Sequence, residues 1–364
     1  MAPLGFKPVR KTSPRVRFPT RVQIGFLPMV DAAPVIAAKE MGFFRKHGLE
    51  VSLVREDDWK ILQHRMADKE IDAAHSPVGM GFGLKLGVGG YLPMSVFTAL
   101  VTNIHGNAIF FSRSLVEKGI RHGADLLRAI RDGLFESRGK ETGLGKPVFG
   151  YVSPFSAHYY VLRRWLAASG IDPRDGVVWR SLLPKEIPAA LRDGEIDGFC
   201  LSEPWGTMVQ EAGTAERIAL GSDFSPGHPD KILLVRGEMA GGRREEHLSL
   251  VAAVLEACRW CDAPENRTEM ADILSERPYL HMKKAFVEQL LPPAESLPAA
   301  LSFHAHDANR PSQDKGAWVL GEMIAAGVLP PELRQGANYL IDSVFRSDLF
   351  AEAEKLCPRQ AVLI

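Results

Sequence analysis

One short pattern occurs twice in this chain, each time in the same local setting. Glu70-Ile71-Asp72 and Glu195-Ile196-Asp197 each stand between a helical stretch and a short apolar run that turns at a proline, Pro77 or Pro204. Each follows a helix-ending glycine, Gly48 or Gly170, by roughly 25 residues. Around the first copy, residues 22–26 alternate as a strand, 33–45 have a helical period, 51–54 form a strand, 59–67 a helix opened by Asp57 and Asp58, and 71–75 a strand. Around the second, residues 148–151, 157–169, 177–181, 184–192 and 196–201 repeat that order. Strands alternating with helices over short connections predict an α/β unit with a largely parallel sheet. Two such units predict two similar lobes.

The length agrees. At 364 residues the chain exceeds what one core ordinarily organises, about 250–300 residues. After His247 the pattern is mostly helical, over 248–261, 267–274, 284–290, 316–326 and 341–350. These helices are expected to return to the first lobe and make it discontinuous. The division is therefore 1–20 as a basic arm, 21–110 plus 236–364 as lobe I, and 111–235 as lobe II. The crossings between lobes are expected near 107–111 and 233–236. Two strands joining two lobes make a hinge, and the cleft between them is where a small ligand binds.

Composition removes several function classes. Lys+Arg and Asp+Glu both total 44, so no net charge steers the chain toward nucleic acid or a membrane surface. No apolar run reaches the roughly 18 residues of a membrane span. Residues 1–21 hold Lys7, Arg10, Lys11, Arg15, Arg17 and Arg21, no acid, and four prolines. That is no secretory signal, which needs an apolar stretch after its basic start, so a cytoplasmic location is expected. Of the four cysteines, Cys258 and Cys261 lie in one helical pattern with no second pair, which reads as packing rather than a metal or redox site. Low cysteine usage suits a reducing compartment. The glycine-rich stretch 79–90 does not fit a dinucleotide loop and reads as helix packing. No G-x-S-x-G, H-E-x-x-H or phosphate loop is present, and no enzyme, metal or cofactor is expected.

The residues from about 20 to 350 resemble a known family. The order IGFLPMVDAAPVIAAKEMGFFRKHGLEV, REDDW, IDAAHSPVGM, LGVGG, HGNAIFFS, RRWLAASGIDP, GFCLSEPW, HPDKILLV and ACRWCD resembles the nitrate and bicarbonate receptors of ABC transporters. That resemblance implies a type II periplasmic-binding-protein fold. Within the family the nearest resemblance is to the cytoplasmic nitrate/nitrite sensors of the NasS type, which pair with an ANTAR-domain RNA-binding antiterminator. It implies a receptor that closes on nitrate or nitrite and so controls that partner, with no direct nucleic-acid contact of its own. The alternative is the solute-binding subunit of an ABC transporter for the same or a related small anion, a sulfonate or aromatic acid included.

Four positions match the family's ligand contacts. Trp59 offers an indole N–H, a donor that cannot accept. Asn107 stands in a Gly-Asn turn where some nitrate-binding relatives carry glutamine. His158 lies in the first turn of a helix, where backbone N–H groups and the dipole already favour an anion. Lys231 supplies positive charge, 73 residues after His158 as in the nitrate-binding branch. The bicarbonate-binding branch has an acidic residue and calcium at that place. His75, Glu203 and Trp205 form a second rank, in turns at strand C-termini that face the expected cleft. Glu203 is expected to orient Lys231 or a loop, or to support closure.

Overall fold

A computed structural model of the chain describes residues 20–136, 145–291 and 301–358. The basic arm expected over 1–20 falls, but for Thr20, outside the described residues. Two sheets organise the rest. The first runs β11-β4-β10-β3-β1-β2, from β1 (Thr20–Phe26), β2 (Leu49–Arg55), β3 (Ala73–Pro77), β4 (Val96–His105), β10 (Pro229–Arg236) and β11 (Leu301–Ser302). The second runs β7-β6-β8-β5-β9, from β5 (Asn107–Ser112), β6 (Val148–Tyr151), β7 (Val178–Ser181), β8 (Gly198–Ser202) and β9 (Ala215–Leu220). Each lobe is thus one sheet with helices against it.

The repeated pattern has a structural meaning. In lobe I, β1 pairs in parallel with β2 and β3, with Gly25 opposite Ala74. In lobe II, β6 pairs in parallel with β7 and β8, with Gly150 opposite Phe199. The first and third strands of the two units are related by a shift of 125 positions. Asp72 Oδ2 accepts the Gln23 N–H at 2.9 Å, while the Asp72 N–H returns to the Gln23 carbonyl. Asp197 does the same to Val148, at 2.8 and 2.7 Å. Each aspartate ties the third strand to the first, satisfying backbone groups at the sheet's start. Ile71 and Ile196 are buried beneath, each against the glycine of the first strand.

The sheets move the lobe boundaries. All of β10 lies between β3 and β4, antiparallel to both, so residues 229–236 belong to lobe I. All of β5 belongs to lobe II. The crossings therefore fall at His105–Gly106 and at residues 225–228, not at 107–111 and 233–236. Both strands are buried apolar runs, and burial alone does not tell which sheet such a run joins. The crossings lie side by side: the His105 N–H donates to the His228 carbonyl at 3.1 Å, and the Gly227 N–H to His105 Nε2 at 2.7 Å. Gly106 adopts φ 91°, and a Cβ there would stand 2.7 Å from Leu301, so only glycine fits.

Most C-terminal helices return to lobe I, while the Gln313–Ala325 helix also touches the Ala157–Ala168 helix of lobe II. The Arg244–Asp262 helix packs on β4 and on the Ala33–Glu40 helix, burying Cys258 and Cys261 as free thiols. The helix expected over 341–350 is two, Ala337–Val344 and Ser347–Glu354. The break falls where Phe345 bridges to Thr98 and the Arg346 N–H donates to the Thr98 carbonyl at 2.8 Å, an edge contact that a continuous helix would forbid. The glycine-rich stretch forms the Met80–Leu86 helix, with lobe II pressed onto it: a Cβ on Gly83 would meet the Phe155 ring at 2.5 Å. Among the described residues, no helix is long and apolar enough to cross a membrane.

Candidate binding site

Between the lobes the chain buries a charged cluster. Lys231 enters from β10, and its Nζ lies 2.8 Å from Asp31 Oδ2 and 2.6 Å from Asp230 Oδ2. His158, from the first turn of the Ala157–Ala168 helix of lobe II, brings Nε2 to 3.3 Å from Lys231 Nζ and 3.3 Å from Asp230 Oδ1. Ser202, at the end of β8, donates its hydroxyl to Asp31 Oδ2 at 2.9 Å. Asp31, His75, His158, Ser202, Asp230 and Lys231 are all buried.

Local backbone explains how these groups converge. Asp31 sits in a short 3-10 turn at the C-terminal end of β1, the rim where open α/β sheets bind ligands. Consecutive residues of a strand point to opposite faces, yet Asp230 and Lys231 touch. Register shifts between β10 and β4 fall on either side of Lys231 and turn both side chains inward. The lobes are closed on each other by backbone as well. The Val30 N–H donates to the Glu203 carbonyl at 3.1 Å, and the Gly79 N–H to the Phe155 carbonyl at 2.9 Å.

The electrostatics are those of a caged cation. Burial by itself disfavours the charged Lys231, but Asp230 and Asp31 outweigh it and raise its pKa above the ordinary value. Burial likewise pushes Asp230 up, while Lys231 and then His158 pull it further down, well below the usual carboxylate range. His75, buried near both acids and the lysine, is lowered to about 4 by burial, so it is neutral at pH 7. Both of its ring nitrogens, His158 Nδ1 and Asp31 Oδ1 have no hydrogen-bond partner. Buried polar atoms of that kind mark a place built for a polar ligand.

Sequence and structure agree unevenly here. Lys231 and His158 are brought together across the cleft. Trp59 is buried at the first position of the Trp59–Ala67 helix, after Asp58, whose carboxylate caps it through Lys60 N–H at 2.9 Å. Asn107 is directed into the hinge, where its Nδ2 lies 3.0 Å from His228 Nε2. Glu203 does not orient Lys231. Its carboxylate accepts the Thr207 N–H at 2.9 Å and hydroxyl at 3.0 Å, holding its own loop, and its carbonyl serves closure. Trp205 opens the next helix, with a buried, unpartnered Nε1. The residues that hold the lysine, Asp31 and Asp230, were not anticipated. Their signals were present: Asp31 follows the first strand's C-terminus, and Asp230 precedes the lysine.

Two other chemistries can be tested on this geometry. Asp31, His158 and Asp230 present ligand atoms within 4.8 Å of one another, as a metal site would. Lys231 Nζ stands against the same two carboxylates and supplies the positive charge itself, so the set does not fit a cation while the lysine is there. Ser202, His158 and Asp230 also look like a hydrolytic triad. Ser202 Oγ, at 3.4 Å, and Asp230 both address His158 Nε2, leaving Nδ1 unpartnered. A triad needs serine and acid on opposite nitrogens.

Residues 17–275 match the family described as the NMT1-like family. The bicarbonate transport ATP-binding protein CmpC of Synechococcus elongatus is 34% identical over 311 residues, covering 85% of this chain and 46% of that protein. The nitrate import ATP-binding protein NrtC of Synechocystis sp. is 34% identical over 342 residues, covering 91% of this chain and 49% of that protein. The chain thus spans about half the length of these relatives. Among solved structures, the periplasmic nitrate-binding protein NrtA from Synechocystis PCC 6803 is similar at a TM-score of 0.81, with 25% identity over 93% of this chain and 89% of that one. The two lobes, their paired crossings and this likeness make the fold that of a type II periplasmic binding protein.

Proposed function

This chain belongs to the NMT1-like family, and from that premise we propose that it is a non-enzymatic receptor that closes on one small planar oxyanion, nitrate or nitrite. The observation that carries the reading is the meeting of Lys231 and His158, from opposite lobes, at 3.3 Å in a buried site. An anion that accepts from both side by side takes charge-assisted hydrogen bonds that only the closed form offers, so binding and closure are one event. Moving a population from mostly open to mostly closed takes about 5.5 kcal/mol of preference, within the roughly 8 kcal/mol of a micromolar ligand. Calorimetry with nitrate, nitrite, bicarbonate and sulfate tests it. Micromolar binding of a nitrogen oxyanion, lost in Lys231→Ala, is the expected result; no heat with either sinks the ligand assignment.

A second ligand reading has its own observation. Asp31 Oδ1 is buried without a partner beside the lysine. Nitrate has no proton to give it, whereas bicarbonate carries an O–H donor, and CmpC is named for bicarbonate transport. Tighter heat with bicarbonate than with nitrate in the same titration selects this reading.

For the receptor's output the first reading is the solute-binding subunit of an importer, supported by NrtC, named for nitrate import, and NrtA, named for nitrate binding. The finer proposal is a cytoplasmic sensor that holds an ANTAR-domain antiterminator until nitrate or nitrite closes it. Four buried, unpaired cysteines suit such a reducing compartment. Retention of an ANTAR-domain protein on the immobilised chain, released by nitrate, is expected; no retention at any nitrate concentration removes the sensor role.

A further inference from the structure

Asp31 is placed where an anion belongs. Its carboxylate, planar like nitrate, is 1% exposed and takes the Lys231 ammonium at 2.8 Å and the Ser202 hydroxyl of the opposite lobe at 2.9 Å. These are the donors that a bound oxyanion would use. Asp230 also touches Lys231, but it is fixed in β10 and held from behind by Asn103 Nδ2 at 3.4 Å. Asp31 stands on a loop turn and reaches across the cleft. Two carboxylates thus share the one ammonium, and Asp31 joins it to the Ser202 hydroxyl across the cleft.

We infer that Asp31 is a built-in counter-anion that competes with the ligand for Lys231 and so sets the receptor's affinity. The inference rests on the oxyanion reading above. In it, Asp31 bridges the lobes as the ligand does, and an incoming anion must displace its Oδ2 from the lysine. The residue lowers affinity by design and penalises anions that have only acceptors. A residue that merely positions Lys231 would act in the opposite sense, because its loss would loosen the lysine and weaken binding.

The full chain is titrated with nitrate by calorimetry as wild type, Asp31→Asn, Asp31→Ala and Asp31→Glu, after thermal melting shows each to be folded. Asparagine keeps the shape and an acceptor for Ser202 while removing the charge. Both neutral variants are expected to bind nitrate at least tenfold more tightly, and Asp31→Glu, which keeps the charge, no more tightly than wild type. Wild-type binding with unchanged or weaker affinity in the neutral variants overturns the inference and leaves the receptor reading standing. Absence of nitrate binding in all four overturns the nitrate reading and this inference with it.

Discussion

The two lobes are one scaffold used twice, and they differ where the ligand chemistry lies. Beneath the sheets the shifted positions agree: Gly25 with Gly150, Leu62 with Ile187, Ile71 with Ile196, Asp72 with Asp197. At the cleft they part. On the third strands His75 answers to Cys200 and Pro77 to Ser202, and the same shift in sequence sets Asp31 against Ser156, Ala33 against His158 and Trp59 against Pro184. Even the returning strands correspond, since Lys231 pairs opposite Pro77 and Asn107 opposite Ser202. Lobe I thus carries the acids, the ammonium and the His75 ring, and lobe II the His158 imidazole and the Ser202 hydroxyl. Neither half of the repeat holds a complete site, so the chemistry exists only when the lobes meet.

The largest effect separates the two returning strands. Lys231→Ala leaves two buried carboxylates uncompensated, which costs about 3–5 kcal/mol of stability, and removes anion binding. At the equivalent place in lobe II, Asn107→Ala strands one ring nitrogen of His228, a cost of about 1–3 kcal/mol, with affinity reduced less than tenfold. Denaturation curves and nitrate titrations of both variants check this. Equal losses of affinity would make the two strands equal partners in binding.

Acid should find lobe I and the crossing first. His75 in β3, His228 in the crossing and His247 in the Arg244–Asp262 helix are all lowered to about 4, by burial foremost. The unfolded chain protonates near 6.5, so it binds the proton before the folded chain does. Stability is full above about pH 6.5 and is lost as pH falls toward 4, by up to about 1.4 kcal/mol per pH unit for each histidine. His247 stacks edge-on against Phe97 with both nitrogens unpartnered. His247→Leu is therefore expected to raise the denaturation midpoint at pH 4.5 and to change it little at pH 7.5. A wild-type midpoint that stays flat between these values breaks the idea. The lobe II counterpart of His75 is Cys200, whose thiol burial pushes up and keeps protonated across this range.

The shared glycines sharpen the comparison next. A Cβ on Gly25 would lie 2.2 Å from the buried Leu62 and 2.8 Å from Ile71. On Gly150 it would lie 3.0 Å from Ile196 and 3.1 Å from Ile187. Overpacking of this kind costs about 1–3 kcal/mol. Gly25→Ala is expected at the upper end and Gly150→Ala at the lower, read from urea midpoints. The reverse order would mean that lobe I has the softer core.

What sequence reveals about this molecule follows the same division. The repeated strands, helices and Glu-Ile-Asp turns are local, so periodicity and turn chemistry expose them. His158 and Lys231 stand out because a helix N-terminus and a lone cation suit an anion. The hinge is not local. Whether residues 229–236 join one sheet or the other depends on neighbours 125 to 162 positions away, β3 and β4. Asp230 was hidden for a related reason, because strand alternation turns it away from Lys231 until the register shifts of β10 bring both inward. Asp31 escapes sequence reasoning because an acid beside an anion site runs against simple charge complementarity, and only the 2.8 Å contact shows it to be the lysine's partner.

The smallest effect lies at the outer rim of the cleft. Asp57 of lobe I reaches Lys185 of lobe II at 3.5 Å, and both side chains are 56% exposed. They flank Trp59 and Pro184 in sequence and join the lobes at the cleft's rim, but water screens them. An exposed pair is worth at most about 1 kcal/mol. Closure draws on it only in the bound form, so Asp57→Asn is expected to weaken nitrate less than about fivefold, and less still in 1 M salt, where charges interact over roughly 3 Å. A larger, salt-sensitive loss would mean that charge at the rim, and not the buried cluster, drives the lobes together. The uneven sharing of chemistry between the lobes would then matter for selectivity alone.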